Sequence, residues 1–199
     1  MSATLTPSAT PRFAAVDPSA ADAQAQPLLA AVQRALGVTP NMMRTMATRP
    51  AVLDGYLALS GALGKGRLGR RLGEQVALAV AEDNGCDYCA AAHTVLGKGA
   101  GLTDADVDAA REGAVADPAR DPRAAAAVAF ARAVVAARGH VQDADVDAAR
   151  AAGLDDGDLG EVVGHVALNV FTNYFNSVAR TAIDFPAVRP TRGPAAAVA

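Results

Sequence analysis

Much that would place this chain in a large functional class is missing from it. Its 199 residues carry 18 Lys and Arg against 21 Asp and Glu, a formal net charge of −3. With no basic excess to attract a phosphate backbone, nucleic-acid binding is excluded as a leading reading. No run approaches the roughly 18 uninterrupted apolar residues that a membrane span needs. Even "AAAAVAFARAVVAA" is cut by Arg132 and flanked by Arg123 and Arg138. The first residues, "MSATLTPSATPRFAAVDPSAADAQAQ", hold neither the basic leader nor the apolar stretch of a secretory signal, which predicts a cytoplasmic protein. Isoleucine occurs once, at Ile183, and strand-like alternation of Val or Thr with polar residues is absent while alanine dominates. The reading is therefore all-α. Cysteine occurs only twice, at Cys86 and Cys89. In a reducing compartment such a close pair points to catalysis or metal binding rather than to a structural staple.

What is present suits one well-packed domain, with 51% hydrophobic and 20% charged residues. Residues 1–26 and 186–199, rich in Ala, Pro, Ser and Thr without a sustained period, are expected to be loose or draped over a neighbour, leaving 27–185 as the helical domain. Inside it the punctuation is regular. "PLLAAVQRALG" ends a helix at Gly37, and Pro40 and Pro50 open the next segments. A helix from about Leu72 to Asp83 is stopped by Asn84 and Gly85. The helix after it carries the cysteines and fades at Gly97, Gly99 and Gly101. Thr103 with Asp106, and Asp121 with Pro122, mark two further starts, and a last long helix runs from Asp155–Asp158 to about Ala182.

The octapeptide "DADVDAAR" stands at 104–111 and again at 143–150, and "LGEQVALAVAEDNGCDYCAAA" from Leu72 is echoed loosely by "LGEVVGHVALNVFTNYFNSVA" from Leu159. Together they predict a helical bundle with an internal repeat of helical half-units, in which Tyr88 corresponds to Tyr174 and Cys89 to Phe175.

The chemistry concentrates in "NGCDYCAAAH". At i, i+3 and i+7, Cys86, Cys89 and His93 share one helical stripe. If the two helices around Asn84 and Gly85 run back alongside each other, Glu74, ten residues before the turn, comes close to His93, nine after it. A thiolate is the nucleophile, and an ordinary cysteine with a pKa of about 8.5 is mostly protonated at neutral pH. A helix start stabilises the anion, His93 takes the proton, and Glu74 orients the imidazole and favours its charged form. Cys89, one turn from His93, is the better nucleophile, which leaves Cys86 to close a disulfide with it. Two other readings stay open. Zinc held by Cys86, Cys89, His93 and a further histidine ranks below redox chemistry, because structural sites usually assemble two separated ligand pairs. A pair of inert buried thiols is the other, since a lone C-x-x-C is only a moderate signal.

Glu74, eleven residues, Cys86, two residues, Cys89, three residues, His93: this arrangement resembles the active-site signature of the alkylhydroperoxidase D-like branch of the carboxymuconolactone decarboxylase superfamily. "LGVTPNMMRTMATRPAVLDGYLALSGAL", "NGCDYCAAAHTVLGKGAGLT" and "NVFTNYFNSVARTAIDFP" extend the similarity, in order, over roughly residues 27–186. The resemblance implies an all-helical homo-oligomer that needs no cofactor and reduces hydroperoxides. In it Cys89 meets the peroxide, Cys86 resolves, Glu74 and His93 relay the proton, and an external dithiol reopens the disulfide. One position departs: the best-known members have a histidine just before the second cysteine, where this chain has Tyr88, a poor base at neutral pH but a hydrogen-bond donor. The superfamily's lactone decarboxylases are generally not built around such a pair, so decarboxylation is disfavoured. A disulfide reductase or redox adaptor with no peroxide step, and a non-enzymatic helical oligomer with a structural Cys pair, remain the alternatives.

Elsewhere, Phe171, Tyr174, Phe175 and Val178 have the spacing of a buried stripe, with Tyr174 and Phe175, like Tyr88, as candidate walls of the pocket over Cys89. Glu161 and His165 read as a local ion pair, His140 as a helix-end cap, and Met42, Met43 and Met46 as core or interface filler.

Overall fold

The computed structural model describes residues 10–188, and among them every regular element is helical. After a short 3-10 turn at Pro18–Ala20 the helices are α1 (Ala25–Leu36), α2 (Asn41–Met46), α3 (Pro50–Leu63), α4 (Gly69–Asp83), α5 (Asp87–Gly99), α6 (Asp104–Arg111), α7 (Pro122–Ala136), α8 (Asp143–Ala151) and α9 (Asp156–Ala179). Their ends follow the local chemistry. Gly37 terminates α1 at φ 75°, and Gly85 turns the chain between α4 and α5 at φ 63°. Thr103 and Asp106 form a reciprocal capping box on α6, and Asp155 and Asp158 form one on α9.

Helix α4 is the axis of the molecule, packed against α5, α6, α7 and α9. Its apolar residues Val76, Leu78 and Val80 have no solvent exposure. Each contributes about 1.5–3 kcal/mol by burial. Its polar residues meet partners: Glu82 is paired with Arg111 of α6 in the interior, and Asp83 receives Arg132 of α7 at 2.9 Å. One apolar cluster joins α4 to α7, α8 and α9; a second joins α1, α2 and α3 to the thiol-bearing start of α5. Two glycines bring α4 close to its neighbours. A Cβ on Gly97 would lie 2.9 Å from Leu102 and 3.7 Å from the Glu74 Cβ, and one on Gly73 would lie 3.1 Å from the His165 ring.

Both copies of the octapeptide are helices with an Asp in a capping box, so that repeat is one of local structure. The longer echo is not. Residues 72–92 bend at Asn84 and Gly85 into two helices, whereas 159–179 lie within the single helix α9, which has no such break. Tyr88 and Tyr174 therefore do not occupy corresponding places. Segment 10–26 runs across the bundle: Arg12 N and Phe13 N donate to Ala179 O, and Val16 N to Arg44 O. The expectation for residues 1–9 and 189–199 falls outside the described residues. No described helix is long and apolar enough to cross a membrane.

Candidate active site

Cys86 is the N-cap of α5, in extended conformation, and its sulfur accepts the Cys89 N–H at 3.4 Å. That geometry turns the two side chains toward each other, so the Cys86 thiol donates to the Cys89 sulfur with the sulfurs 2.6 Å apart and no disulfide between them. Both are buried. One helical turn onward, His93 Nδ1 donates to Glu74 Oε2 across the α4–α5 contact at 2.8 Å, which leaves Nε2 to exchange a proton. The antiparallel return at Asn84 and Gly85 thus brings together the four residues singled out in the sequence.

The electrostatics separate the two thiols. Burial pushes the Cys89 thiol up, but the Cys86 hydrogen bond, the His93 charge and the amides of Asn176 and Asn173 outweigh it and lower its pKa to about 7. The Cys86 thiol moves the opposite way, chiefly because it donates to Cys89 and also through burial. Burial works against a charge on His93, yet Glu74 beside it and the Cys89 sulfur raise its pKa above the usual value. The group is thus an imidazole shifted toward its charged form beside the more acidic of two touching sulfurs.

Above Cys89 lies a cavity of about 410 Å³, walled by Met42, Met43, Tyr56, Leu63, Ala77, Leu168 and Phe185, with Glu74, Tyr88, His93 and His165 among its polar residues. Cys89 lines it and Cys86 does not. Among the described residues no group of three His, Cys, Asp or Glu side chains is disposed to hold a metal ion.

Residues 50–133 match the model of the carboxymuconolactone decarboxylase family. The whole fold superposes on the alkylhydroperoxidase AhpD core of a peroxidase-related protein from Ralstonia eutropha JMP134, with a TM-score of 0.79 at 24% identity over 87% of this chain and 92% of that one. A peroxidase-related protein from Silicibacter sp. TM1040 gives 0.72 at 21% identity over 90% and 95%. The debrominase Bmp8, in complex with 2,3,4-tribromopyrrole, gives 0.68 at 20% identity over 81% and 86%. The central segment thus resembles the carboxymuconolactone decarboxylase family, and the fold is that of the alkylhydroperoxidase AhpD core. No curated protein matches it.

Tyr88, between the two cysteines in sequence, is buried, and its hydroxyl is engaged by Met42 and Asp184 rather than by either sulfur. It accepts the Met42 N–H at 3.1 Å and donates to Asp184 at 2.9 Å, while its ring meets Phe185 edge-on at 5.6 Å. Asp184 also accepts from Asn41 N at 2.7 Å, so the phenol ties residues 181–188 to the start of α2. Burial first, and Asp184 as well, raise the pKa of Tyr88, which keeps the phenol protonated.

The aromatic stripe of α9 is a correction. Tyr174 is 60% exposed, Val178 52% and Phe171 39%, and neither Tyr174 nor Phe175 lines the cavity; Phe175 instead packs against Phe13 and Phe171. The buried face of α9 near the thiols is polar: Asn169, Thr172, Asn173 and Asn176, again at i, i+3, i+4 and i+7. Asn176 Nδ2 donates to Cys89 Sγ at 3.3 Å. Nothing in the sequence pattern marked these amides, because hydropathy assigned the aromatic side of the helix to the interior. Glu161 differs too. It accepts the N–H groups of Arg67 and Leu68 at 2.9 and 3.1 Å, holding the chain that enters α4, and His165 lies over Gly73 on the cavity wall. Met42, Met43 and Met46 are buried, the first two against the cavity.

Proposed function

We propose that the protein is a thiol-dependent peroxidase that reduces organic hydroperoxides through Cys86 and Cys89, with Glu74 and His93 as proton relay. The observation that carries this reading is that, of two touching sulfurs, only the one with the lowered pKa opens on the cavity. The Cys89 thiolate attacks the outer oxygen of the peroxide, the O–O bond breaks, and the alkoxide takes a proton from the His93 imidazolium, giving alcohol and a Cys89 sulfenic acid. The Cys86 sulfur then attacks that sulfenic sulfur. Its own proton and the departing hydroxyl leave as water, and the Cys86–Cys89 disulfide remains. Sulfurs already in contact need little motion to reach a bond of about 2.05 Å. An external protein dithiol reduces the disulfide by exchange and becomes oxidised in turn.

A largely apolar cavity supports an organic peroxide over hydrogen peroxide. The experiment is titration of the reduced protein with an alkyl hydroperoxide, counting free thiols and weighing the product. Two thiols are lost per peroxide, the mass falls by two hydrogens, and Cys89→Ser abolishes both changes. Retention of both thiols under excess peroxide removes the proposal. Because the debrominase was solved with a tribrominated pyrrole, a halogenated aromatic is the second electrophile to offer the same sulfur. Thiol exchange with no peroxide consumed would favour the redox-adaptor reading. We place homo-oligomeric assembly on the exposed face formed by Val163, Phe171, Tyr174 and Val178 of α9, since apolar side chains grouped on one helix face mark contact surfaces. Sedimentation of Tyr174→Glu at a smaller mass than wild type tests that assignment.

A further inference from the structure

We infer that Asn173 and Asn176 of α9 form an anion site for the Cys89 sulfur, built of amide donors and independent of the Glu74–His93 pair. The inference rests on the reading of Cys89 as the working sulfur, but not on the identity of its substrate.

The four polar residues on the buried face of α9 divide into two kinds. Asn169 Nδ2 donates to His165 O at 2.8 Å and Thr172 Oγ1 to Asn169 O at 3.0 Å, so both spend their donors on their own helix. Asn173 and Asn176 do not. Asn176 Nδ2 has two sulfur acceptors, Cys89 Sγ at 3.3 Å and Met42 Sδ at 3.2 Å, and its Oδ1 has no partner. Asn173 is wholly buried. Its Oδ1 accepts from Asn84 Nδ2 at 2.9 Å, which fixes which way the amide faces, and its Nδ2 is left without a hydrogen-bond partner. The Asn173 amide also lowers the Cys89 pKa, although in this geometry it makes no hydrogen bond to the sulfur.

Neutral sulfur is a weak acceptor, and a buried donor without a good partner is costly. With a thiol at Cys89, both amides are poorly compensated. With a thiolate, the Asn176 N–H meets a full negative charge and becomes a charge-assisted donor, and the unpartnered Asn173 N–H is the second donor we assign to it. The sulfur is then held from two sides. From α5 come the Cys86 thiol and the His93 charge, and from α9 come the two carboxamides. Asn84, at the turn that creates the cysteine geometry, holds Asn173 in place. The other titratable groups felt at this point are Tyr56 on α3, whose pKa is raised first by burial and also by Cys89, and Tyr88, engaged with Asp184. Glu74 acts through His93, and the pKa of the one titratable group of α9 lining the cavity, His165, is lowered first by burial, with Glu161 and Glu74 opposing and His93 adding to the shift.

The test is the pH profile of Cys89 alkylation by iodoacetamide in the reduced full-length chain, with the modified cysteine located by mass spectrometry. Asn173→Leu and Asn176→Leu keep side-chain volume and remove the donors. Each is expected to raise the midpoint by about one unit and slow alkylation about fivefold at pH 7, with the high-pH plateau unchanged. Looser packing would instead change the rate by one factor at every pH, which overturns the inference, as do midpoints equal to wild type in both variants. If a leucine variant does not fold, Asn173→Asp and Asn176→Asp at the same positions must raise the midpoint at least as far, since each replaces a donor by an acceptor; an unchanged midpoint there overturns the inference equally. Combining Asn173→Leu with His93→Gln must add the two midpoint shifts, because the donor walls are separate. No peroxide enters these measurements, so a protein that alkylates as described yet consumes no peroxide loses the proposed function and keeps the anion site.

Discussion

Replacing Glu74 by Gln changes a side chain with no described contact to either sulfur, yet it should disarm Cys89 almost as fully as replacing His93. The reasoning runs through two proton equilibria. Burial opposes a charge on His93, and the carboxylate 2.8 Å from Nδ1 is what reverses the balance. In Glu74→Gln that support is gone, burial is left dominant, and the imidazole is neutral at pH 7. Cys89 then loses the opposite charge that helps hold its pKa at about 7. A nearby opposite charge shifts a pKa by about 1–3 units, so the Cys89 midpoint should climb by about 1–2 units. Its thiolate fraction at pH 7 falls from about a half to between about a tenth and a hundredth. The sign is fixed: reactivity is low below the midpoint, rises as the sulfur ionises, and in the variant rises at higher pH than in wild type. His93→Gln should give the same displacement, and the double variant scarcely more, since each change removes the same charge. Alkylation rates across pH 5–10 for the two single variants and the double variant complete the cycle. Displacements that add in the double variant, or a Glu74→Gln profile equal to wild type, would refute a relay in which Glu74 works through His93.

Cys86→Ser should leave the first oxidation intact and stop the second. A nucleophile trap such as dimedone would then label Cys89 stoichiometrically after one peroxide equivalent, whereas wild type escapes labelling by forming the disulfide. Tyr88→Phe removes the acceptor of the buried Met42 N–H and the donor to Asp184. It should cost about 2 kcal/mol and about 4–8 °C in melting temperature while leaving the Cys89 alkylation midpoint in place; a displaced midpoint would show the phenol acting on the sulfur directly. Arg111→Leu removes the cation paired with Glu82 in the interior of the α4–α6 contact. Chemical denaturation should register a loss of about 3–5 kcal/mol, far more than a surface pair such as Arg67 with Asp155 contributes.

The fold was legible where local chemistry decides it. Caps and stops at Gly37, Gly85, Thr103, Asp121 and Asp155 each lie at or beside a helix end, because a backbone hydrogen-bond requirement at those positions is met by the residue itself or by one three places on. The meeting of Glu74 with His93 was legible for a related reason, since a tight turn between antiparallel helices pairs positions equidistant from it. Orientation about a helix axis was not. Phe171, Tyr174, Phe175 and Val178 form as good an apolar stripe as any in the chain, and yet Tyr174 and Val178 are more than half exposed.

The misreading of α9 has one cause, and it reaches into the chemistry. Hydropathy ranks a helix face by the transfer of its side chains to an apolar medium, so it assigns carboxamides to the outside. That ranking fails where the interior itself holds a charge-bearing group to be solvated. The start of α5 places two sulfurs and an imidazole inside the bundle, and an apolar helix laid over them would make ionisation of Cys89 costly. On the polar face of Asn169, Thr172, Asn173 and Asn176, the Asn176 amide supplies a fixed donor to the sulfur, and the aromatic side is left pointing outward. The inversion of α9 is thus the expected companion of a buried thiolate, and the two stand together. If the Cys89 midpoint proves to be that of an ordinary thiol, the polar interior face of α9 loses its physical reason along with the proposed chemistry.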